Sequence, residues 1–400
     1  MPNTILSATA VTREALRVLH QRLRFIGTIN RQYDKQFAKE GAKIGDTLKI
    51  RLPNQYVVRS GATLASQDTA ETSALLQIAT QKGVDLNFTS ADLTLSLDDF
   101  SKRIIEPAMA VLAAAMEADA LSMRKDVYQQ VNNIGTAATF AKVLEGRKKI
   151  VDSLTPEGAR YALLSTQDNL DLVDALKGLF NNPGSISKQY KEGVMGETAG
   201  FDFMESTHLG NHTPGARGGT PLTNGVTADG ATSLATDGWT ASVTGLLKQG
   251  DVFVLTGVNA VHPETKADTG VQQQFVVTAD VNSNGAGVAT VPISPAIVTS
   301  GARQNVTAAP ADNVALTFQG TASTPYGQSL VYHEDAFAFA TADLVMPKGV
   351  DFAAREVFDG VSIRVVRQYD INSDKFPCRL DVLYGYKTLR PQLACRLANN

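Results

Sequence analysis

The sequence predicts an α+β fold that carries an inserted all-β segment, and three patterns lead to this prediction. An apolar stripe at helical spacing runs through residues 106–135. Strand-like alternation of apolar and polar residues precedes this stripe and returns after residue 330. Between them, residues 210–324 are rich in Gly, Thr, Ala, Val and Asn and carry almost no helix signals. These patterns indicate a mixed body interrupted by a β-rich domain.

Residues 1–40 predict an N-terminal arm with one amphipathic helix. Thr12 is placed to cap this helix. The apolar face consists of Ala15, Leu16, Leu19 and Leu23. Arginines at positions 13, 17, 22, 24 and 31 make the arm the most basic stretch of the chain. Two interpretations follow: a helix with a solvated polar face, or an arm that docks on a neighbouring subunit.

Residues 41–90 predict an extended loop with flanking strands. Leu48, Ile50 and Leu52 alternate with polar residues, and a second alternation follows at Val84, Leu86 and Phe88. The first strand can continue through Gln55–Arg59, and residues 60–73 are small and polar. An isolated two-stranded ribbon is marginal in water. We therefore expect this loop to become stable on another subunit.

Residues 91–138 predict a spine helix, preceded by a short helix over Asp98–Ile105. Pro107 suits the first turn of the longer helix, and Asn132 with Gly135 supplies a stop. About 26 helical residues would measure roughly 39 Å. The helix is either the buried core helix of a large domain or a spine that stiffens a flat subunit.

Residues 139–209 predict a small α/β unit. Ala141–Leu154 is a helix that ends before Pro156, and Arg160–Leu164 is a short apolar strand. Ser165 and Asp168 resemble a capping box and start another helix that runs to Phe180. Asn182-Pro183-Gly184 breaks that helix, and a loop and strand follow over Gly193–Ser206.

Residues 210–324 predict an inserted β-barrel or sandwich, because short strands alternate with turns at regular spacing. The predicted strands are Trp239–Leu247, Asp251–Val258, Gln273–Ala279, Val288–Ile293 and Val314–Phe318. Residues 325–400 then return to strands of the first body. The apolar or alternating segments there are Ala336–Val345, Val361–Arg367 and Leu380–Tyr384, followed by a tail that we expect to be pinned.

Composition and charge restrict the classes of protein to which the chain can belong. An apolar fraction of 43% and a charged fraction of 19% are typical of a globular chain, whose 400 residues predict two or three domains. The net charge is −3 and no basic run occurs, which speaks against a dedicated nucleic-acid binder. No signal peptide opens the sequence and no apolar run is long enough to span a bilayer. We therefore expect synthesis in the cytosol.

The residue types that can carry chemistry favour structural roles here. No serine-hydrolase, zinc-protease, phosphate-loop or dinucleotide motif is present. His208 and His212, with Asp202 and Glu205 near them, form a weak metal candidate in a Gly-rich segment. Three further candidates have structural interpretations. Cys378 and Cys395 are interpreted as buried thiols, and His333-Glu334-Asp335 as a surface turn. Asp98-Asp99 are interpreted as acids at a helix start. We expect no catalytic, cofactor-binding or metal-ligating residue.

Five segments, in this order, resemble a known family. They are LDDFSKRIIEPAMAVLAAAMEAD (97–119), GWTASVTGLLKQGDVFVLTGV (238–258), QFVVTADVNSNGAGVATVPISPAIV (274–298), LVYHEDAFAFATADLVMPKG (330–349) and CRLDVLYGYKTLRP (378–391). Together with the order of the predicted parts, they are similar to the major capsid proteins of tailed phages, which share the HK97 fold, and within these to the P22-like coat proteins with an inserted β-barrel domain.

The resemblance implies a self-assembling shell protein that forms pentamers and hexamers of an icosahedral head around double-stranded DNA. It implies a location in the virion, assembly in the bacterial cytoplasm, and no enzymatic activity or cofactor. The implied partners are further copies, a separate scaffolding protein, a portal protein at one vertex, DNA bound without sequence specificity and, as an optional partner, a decoration protein, but no membrane.

The resemblance also implies a division of the chain: an N-terminal arm (1–40), an extended loop (41–90), a peripheral domain with the spine helix (91–138), an axial domain (139–209), the inserted barrel (210–324) and a return to the axial and peripheral domains (325–400). Some proteins of this fold join subunits by a lysine–asparagine isopeptide bond, but Gln55–Ala79 contains no lysine. Two alternatives stay open, an encapsulin-type compartment shell and a β-rich surface or adhesion protein.

Overall fold

The computed structural model describes residues 8–31, 47–59, 61–64, 66–67, 71–89, 104–176, 196–358, 360–372 and 375–400. The α-helices are α1 (Ala8–Arg22), α2 (Phe25–Thr28), α3 (Glu106–Leu121), α4 (Phe140–Asp152) and α5 (Thr166–Leu176). Short 3-10 helices occur at Ser122–Asp126, Glu334–Ala336 and Pro391–Leu393.

The strands before the β-rich segment are β1 (Thr47–Leu52), β2 (Thr72–Gln77), β3 (Thr80–Thr89), β4 (Gln130–Asn132), β5 (Arg160–Leu164), β6 (Glu197–Thr198) and β7 (Phe201–Glu205). Within it lie β8 (Gly219–Thr223), β9 (Ala231–Trp239), β10 (Val252–Val261), β11 (Asp268–Val277), β12 (Ala289–Ile297) and β13 (Leu316–Phe318). The last are β14 (Gly327–His333), β15 (Phe337–Ala342), β16 (Phe352–Phe358), β17 (Val361–Arg367), β18 (Lys375–Thr388) and β19 (Ala394–Asn399).

The described residues fall into two compact units. The first is drawn from Met1–Arg51, Ser73–Ser122 and Phe337–Leu389, and the second from Leu52–Thr72, Met123–Ala336 and Arg390–Asn400. Because each unit collects distant stretches of the chain, its core depends on contacts between residues far apart in sequence. Among the described residues, no helix combines the length and apolarity that crossing a bilayer requires.

The first unit is built on an antiparallel sheet of order β15-β18-β17-β16, with β3 also paired to the long strand β18. Helix α1 packs against α3 and against β16 and β17. Aromatic side chains fill the core, with the rings of Phe25 and Phe337 at 5.5 Å and those of Phe339 and Tyr384 also at 5.5 Å. Strands β1 and β2 form a separate two-stranded sheet.

The N-terminal arm differs from its prediction in two respects. Thr12 does not cap the helix, because α1 begins at Ala8 and Thr12 lies buried inside it. The apolar side chains predicted for the helix, such as Leu16 and Leu19, are buried against the chain's own α3 and sheet. The apolar face of the described part of the arm therefore packs on its own unit. Its arginine face is solvated as the first interpretation expected, since the Arg13 side chain is 72% exposed.

The spine helix is shorter than predicted. It ends at Leu121, and a 3-10 turn leads into β4, which pairs in parallel with β19. Val127 and Val131 are nevertheless buried, as the apolar stripe predicted. The first part of the apolar stripe is buried as a helix and the last part as a strand. Spacing alone does not distinguish a helix from a strand over such short runs.

The loop region pairs differently from its prediction. The strand of Leu48 and Ile50 pairs with β2, which was not predicted, and Gln55–Arg59 does not extend it. The strand of Val84 and Leu86 belongs to the larger sheet beside β18. The predictions for Asp98-Asp99 and for Asn182–Gly184 lie outside the described residues.

The second unit contains a mixed sheet of order β4-β19-β14-β5-β7-β6. Helix α4 packs on β19 and β14, and α5 contacts β5. The helix and strand predicted over 141–164 are confirmed, and so is the cap, because Ser165 Oγ accepts from the Asp168 N–H at 3.1 Å. The tail is pinned as predicted, since β19 lies between β14 and β4.

The β-rich segment of the second unit forms an antiparallel sheet of order β13-β10-β11-β12-β9-β8. Its two edges meet, because the Thr223 N–H donates to the Val314 carbonyl at 2.9 Å and Leu222 bridges Ala315. The closed sheet surrounds a buried core that includes Trp239, Phe253 and Phe275. Four predicted strands overlap β10–β13.

The prediction of a strand over Trp239–Leu247 is wrong, because β9 ends at Trp239 and turns follow. The chain there has positive φ at Ser242 (55°) and Gly245 (67°), which a strand does not allow. Strands β8 and β9 escaped prediction because many of their side chains are polar and exposed, leaving no clear alternation.

Candidate functional site

The metal candidate of the sequence is not assembled. His212 is buried and its Nε2 lies 2.8 Å from Asp251 Oδ1, while His208 is exposed. Burial lowers the pKa of His212. In the described part of the chain, no three His, Cys, Asp or Glu side chains are grouped as ligands for a metal ion.

The two cysteines are buried free thiols, as predicted. Burial raises the pKa of Cys378 to about 12 and that of Cys395 to about 12. Because the thiolate is the nucleophile, both side chains are expected to be poorly reactive in the folded protein.

The polar trio at His333 divides between surface and core. Glu334 is exposed in a 3-10 turn, as the surface-turn interpretation predicted. His333 is instead buried at the end of β14, and its Nδ1 accepts from the Asp335 N–H at 3.2 Å. That prediction is therefore wrong for the histidine, whose ring orders the turn from inside.

The extended loop exposes apolar side chains that a lone globule would bury. Tyr56 is 58% exposed, Val58 88% and Leu64 85%. Single exposed apolar residues are ordinary, but several on one loop indicate a contact surface.

Side-chain bonds shape the extended loop from within. The Val57 N–H donates to Gln67 Oε1 at 2.9 Å, and Gln67 Nε2 donates back to the Val57 carbonyl. Arg59 Nη1 donates to the carbonyls of Gly61 and Thr63. The glutamine thus pairs the two sides of the loop as a strand would, and the apolar side chains remain outside.

A neck joins the β-rich segment to the rest of the second unit, and we define it as His212 and Tyr326. Each donates its backbone N–H to the other's carbonyl, at 2.9 and 3.0 Å, and their rings lie 5.5 Å apart. The chain leaves through His212 and returns through Tyr326, directly before β14. This antiparallel bridge keeps the two ends of the segment together.

Asp251 organises the groups around the neck. It is fully buried, and it accepts from His212 Nε2, from the Gly215 N–H at 3.1 Å and from the Lys248 N–H at 3.1 Å. Arg217 Nη2 lies 3.7 Å from its Oδ1. These partners, with the positive charge of Arg217, lower the pKa of Asp251 although burial alone would raise it. The carboxylate therefore holds the stretch 212–217 against the turn at Lys248 as an anion.

A second contact fixes the β-rich segment to the edge of the mixed sheet. The side-chain amide of Gln274, on β11, accepts from the Gln130 N–H at 2.9 Å and donates to the Gln130 carbonyl at 3.0 Å. Gln130 lies on β4, the edge strand, whose exposed backbone groups need partners. One glutamine thus supplies the hydrogen bonds that a further strand would supply.

Sequence reasoning missed Asp251, Gln274 and Glu117. The carboxylate of Glu117, on α3, is buried and accepts from the Phe25 N–H and the Ile26 N–H at 3.1 Å each. Each of these residues meets a partner dozens of positions away. A single sequence contains no local signal for such pairs. At Glu117 the only hint is its spacing, because it lies four residues after Ala113, which is buried on the same helix.

Comparison with known proteins identifies the class. The family model of the P22 coat protein, described as gene protein 5, matches residues 28–396. The major capsid protein of Acyrthosiphon pisum secondary endosymbiont phage 1 is 22% identical over 382 residues, covering 89% of each chain.

Solved structures are similar as well. A chain of Mycobacterium phage Che8 is 13% identical, with a TM-score of 0.46 over 94% of this chain and 90% of that chain. The CUS-3 coat protein I-domain is 26% identical, with a TM-score of 0.19 over 25% of this chain and 94% of that chain.

The protein is thus one that builds a phage head, and it belongs to the P22 coat protein family. It is a major capsid protein that assembles with copies of itself into the shell. The family match favours this function over the compartment shell and the surface protein that the sequence left open.

Proposed function

We propose that the chain forms pentamers and hexamers of the icosahedral head of a tailed double-stranded DNA phage, and that it acts by self-association rather than by turnover. Family membership supports the proposal, and the apolar surface of the extended loop carries it. Each subunit would contact its neighbours heterologously, closing rings. Contacts of a few kcal/mol suffice, because several neighbours hold every copy.

The proposed architecture is the HK97 type, divided at the boundaries predicted from the sequence. The observations that support it are the helix α3, the loop between β1 and β2, and the mixed sheet with its two helices. An inserted barrel over 210–324 is supported by the closed six-stranded sheet and by the neck that joins its ends.

The proposed partners follow from the same role. They are a separate scaffolding protein during assembly in the host cytoplasm, a portal protein at one vertex, packaged DNA bound without sequence specificity and, optionally, a decoration protein on the virion. Exposed arginines of α1, such as Arg13, suit an acidic partner or the DNA phosphates.

The extended loop provides the direct test. Replacing Val58 and Leu64 together with aspartate places charges on side chains that are 88% and 85% exposed, so the monomer should stay folded. If the loop packs on a neighbouring copy, the charges must be desolvated there and shells should be lost. Weakening each contact by ~1.4 kcal/mol changes its equilibrium constant about tenfold. Electron microscopy and size-exclusion chromatography measure the shell yield.

The matched control is Gln55→Asp, which adds a charge at an exposed polar position of the same loop. This variant should assemble normally. Normal shells from the double variant, at wild-type yield, would exclude the loop as an assembly contact.

The β-rich segment should fold by itself. It has a core of its own and a closed sheet. The excised chain loses the Gln274 contacts, the Tyr326 half of the neck, and the hydrogen bonds that Arg396 and Arg124 donate to the segment. Residues 210–324 expressed alone should give a dispersed NMR spectrum and the blue-shifted emission of a buried Trp239. A random-coil spectrum would contradict an independent inserted domain.

A further inference from the structure

The second unit contains a buried cation whose charge is not neutralised by a contact. The side chain of Arg396, on β19, is fully buried. Its Nη1 donates to the Gly250 carbonyl at 2.8 Å, whereas its Nε and Nη2 have no hydrogen-bond acceptor. Within the described part of the chain, no carboxylate forms an ion pair with this guanidinium.

A second cation, Arg124, lies near enough for its charge to act on Arg396. Arg124 is half-buried; its Nη2 donates to the Gly210 carbonyl at 3.0 Å and its Nε lies 3.4 Å from Gln328 Oε1. Burial, together with the nearby charge of Arg124, lowers the pKa of Arg396. The charge of Arg124 therefore acts on Arg396 without neutralising it.

The polar groups around Arg396 include a further unpartnered donor. The Tyr326 hydroxyl lies 3.5 Å from Gln130 Nε2, and the buried Gln328 has no acceptor for its Nε2. Asp251 is the acid whose charge acts on Arg396, but both of its oxygens already accept from His212 and from backbone N–H groups. Asp251 therefore does not serve Nε and Nη2 of Arg396, and the unpartnered buried atoms here are these two donors, Gln328 Nε2 and the acceptor Gln130 Oε1.

Elementary electrostatics requires a compensating group. A guanidinium does not lose its proton in a protein, and an unpaired charge away from water is strongly unfavourable. A buried water would satisfy N–H groups but would leave the charge, whereas an anion satisfies both. Because the side chain of Arg396 is fully buried, only a small anion is expected to reach it.

We propose that a small inorganic anion of the halide class binds beside Arg396, with the amide of Gln328 contributing to the site. Arg396 belongs to β19 and already bonds Gly250 at the foot of the β-rich segment. Binding of the anion would therefore stabilise the attachment of that segment to the mixed sheet.

The test is the dependence of unfolding on the anion at constant ionic strength. The full unassembled chain is unfolded with urea in a gluconate buffer, and the gluconate is replaced stepwise by chloride or bromide. Unfolding is followed by the fluorescence emission of Trp239, the one tryptophan in the sequence. A site that binds only the folded state should increase the folded-to-unfolded ratio about tenfold for each tenfold increase of halide above its Kd. No dependence on the halide in the wild type would overturn the proposal and leave water as the occupant.

Arg396→Met removes the charge while keeping an apolar side chain that can fill the space, and it should abolish the halide dependence. The control Lys148→Met removes an exposed cation from α4 and should retain that dependence. Equal dependence in Arg396→Met and the wild type would show a non-specific salt effect and would refute the site.

If Arg396→Met does not fold, crystals of the wild type grown in bromide decide the matter. An anomalous bromide peak within hydrogen-bonding reach of Arg396 Nε or Nη2 supports the site. A water molecule without anomalous signal at that position refutes it.

Discussion

Replacing Asp251 with alanine should lower the free energy of unfolding of the β-rich segment by about 3–5 kcal/mol, the range found when one partner of a buried charged network is removed. The fully buried carboxylate accepts from His212 and from the N–H groups of Gly215 and Lys248, and Arg217 lies beside it. Alanine leaves these donors without an acceptor and the cation without its counter-charge. The neck should therefore loosen together with the loops that bear these donors.

Trp239 makes this measurement specific. It is the one tryptophan of the chain, and it is buried in the core of the β-rich segment, with its Nε1 donating to Thr236 Oγ1 at 2.8 Å. Urea unfolding followed by its fluorescence gives the free energy of that segment. Protection of the amides of Gly215 and Lys248 from hydrogen exchange should fall in the same variant.

Asp280→Ala is the matched control for Asp251→Ala. Asp280 accepts from Lys248 Nζ at 2.7 Å and from the Gln249 N–H at 2.9 Å, so it serves the same turn. Its side chain is 57% exposed, and water can replace it. The loss should stay below about 1 kcal/mol. Equal losses in the two variants would show that burial of Asp251 contributes nothing.

The parts of the fold that the sequence predicts best are those specified locally. The helix over 141–154 carries its own apolar spacing, and Ser165 with Asp168 specifies a cap within one turn. Four β-strands of the inserted segment are bounded by turn residues and were predicted for the same reason. In these cases the information lies within a few residues of the element.

The missed features depend on partners that are remote in sequence. The residues after Leu121 leave the helix because β4 finds a place beside β19, more than 260 positions later. His212 was a weak metal candidate in the sequence, and its side chain instead faces Asp251, 39 positions away. The spacing of the arm helix predicts its apolar face, but it does not show that this face packs on α3 of the same chain. Local patterns state which side chains must be buried, but they do not identify what buries them.

The stability of the first unit should decrease as the pH rises from about 4.5 to about 7, and Glu117→Gln should abolish this dependence. Burial raises the pKa of Glu117 from 4.5 to about 7, against the opposing effect of the N–H groups of Ile26 and Phe25. The folded state therefore holds the proton more tightly than the unfolded state does. The stabilisation is complete below pH 4.5 and is lost as the pH rises through about 7.

The full effect corresponds to roughly 3 kcal/mol, at about 1.4 kcal/mol per pKa unit. Glutamine resembles the protonated acid, so the variant and the wild type should have similar stability at pH 4.5, and the variant should be the more stable one at pH 8. Hydrogen exchange of Phe25 and Ile26 reports on this contact directly. Comparing both proteins at the same pH removes the pH dependence of the intrinsic exchange rate.

The control for Glu117→Gln is Glu106→Gln, in the first turn of the same helix α3 and only partly buried. This variant should keep the pH dependence of the wild type. A wild type that becomes more stable with rising pH would show the opposite balance, in which the two backbone N–H groups stabilise the carboxylate more than burial destabilises it. In that case Glu117 would hold the start of α2 as an anion, and Glu117→Gln would be the less stable protein at pH 8.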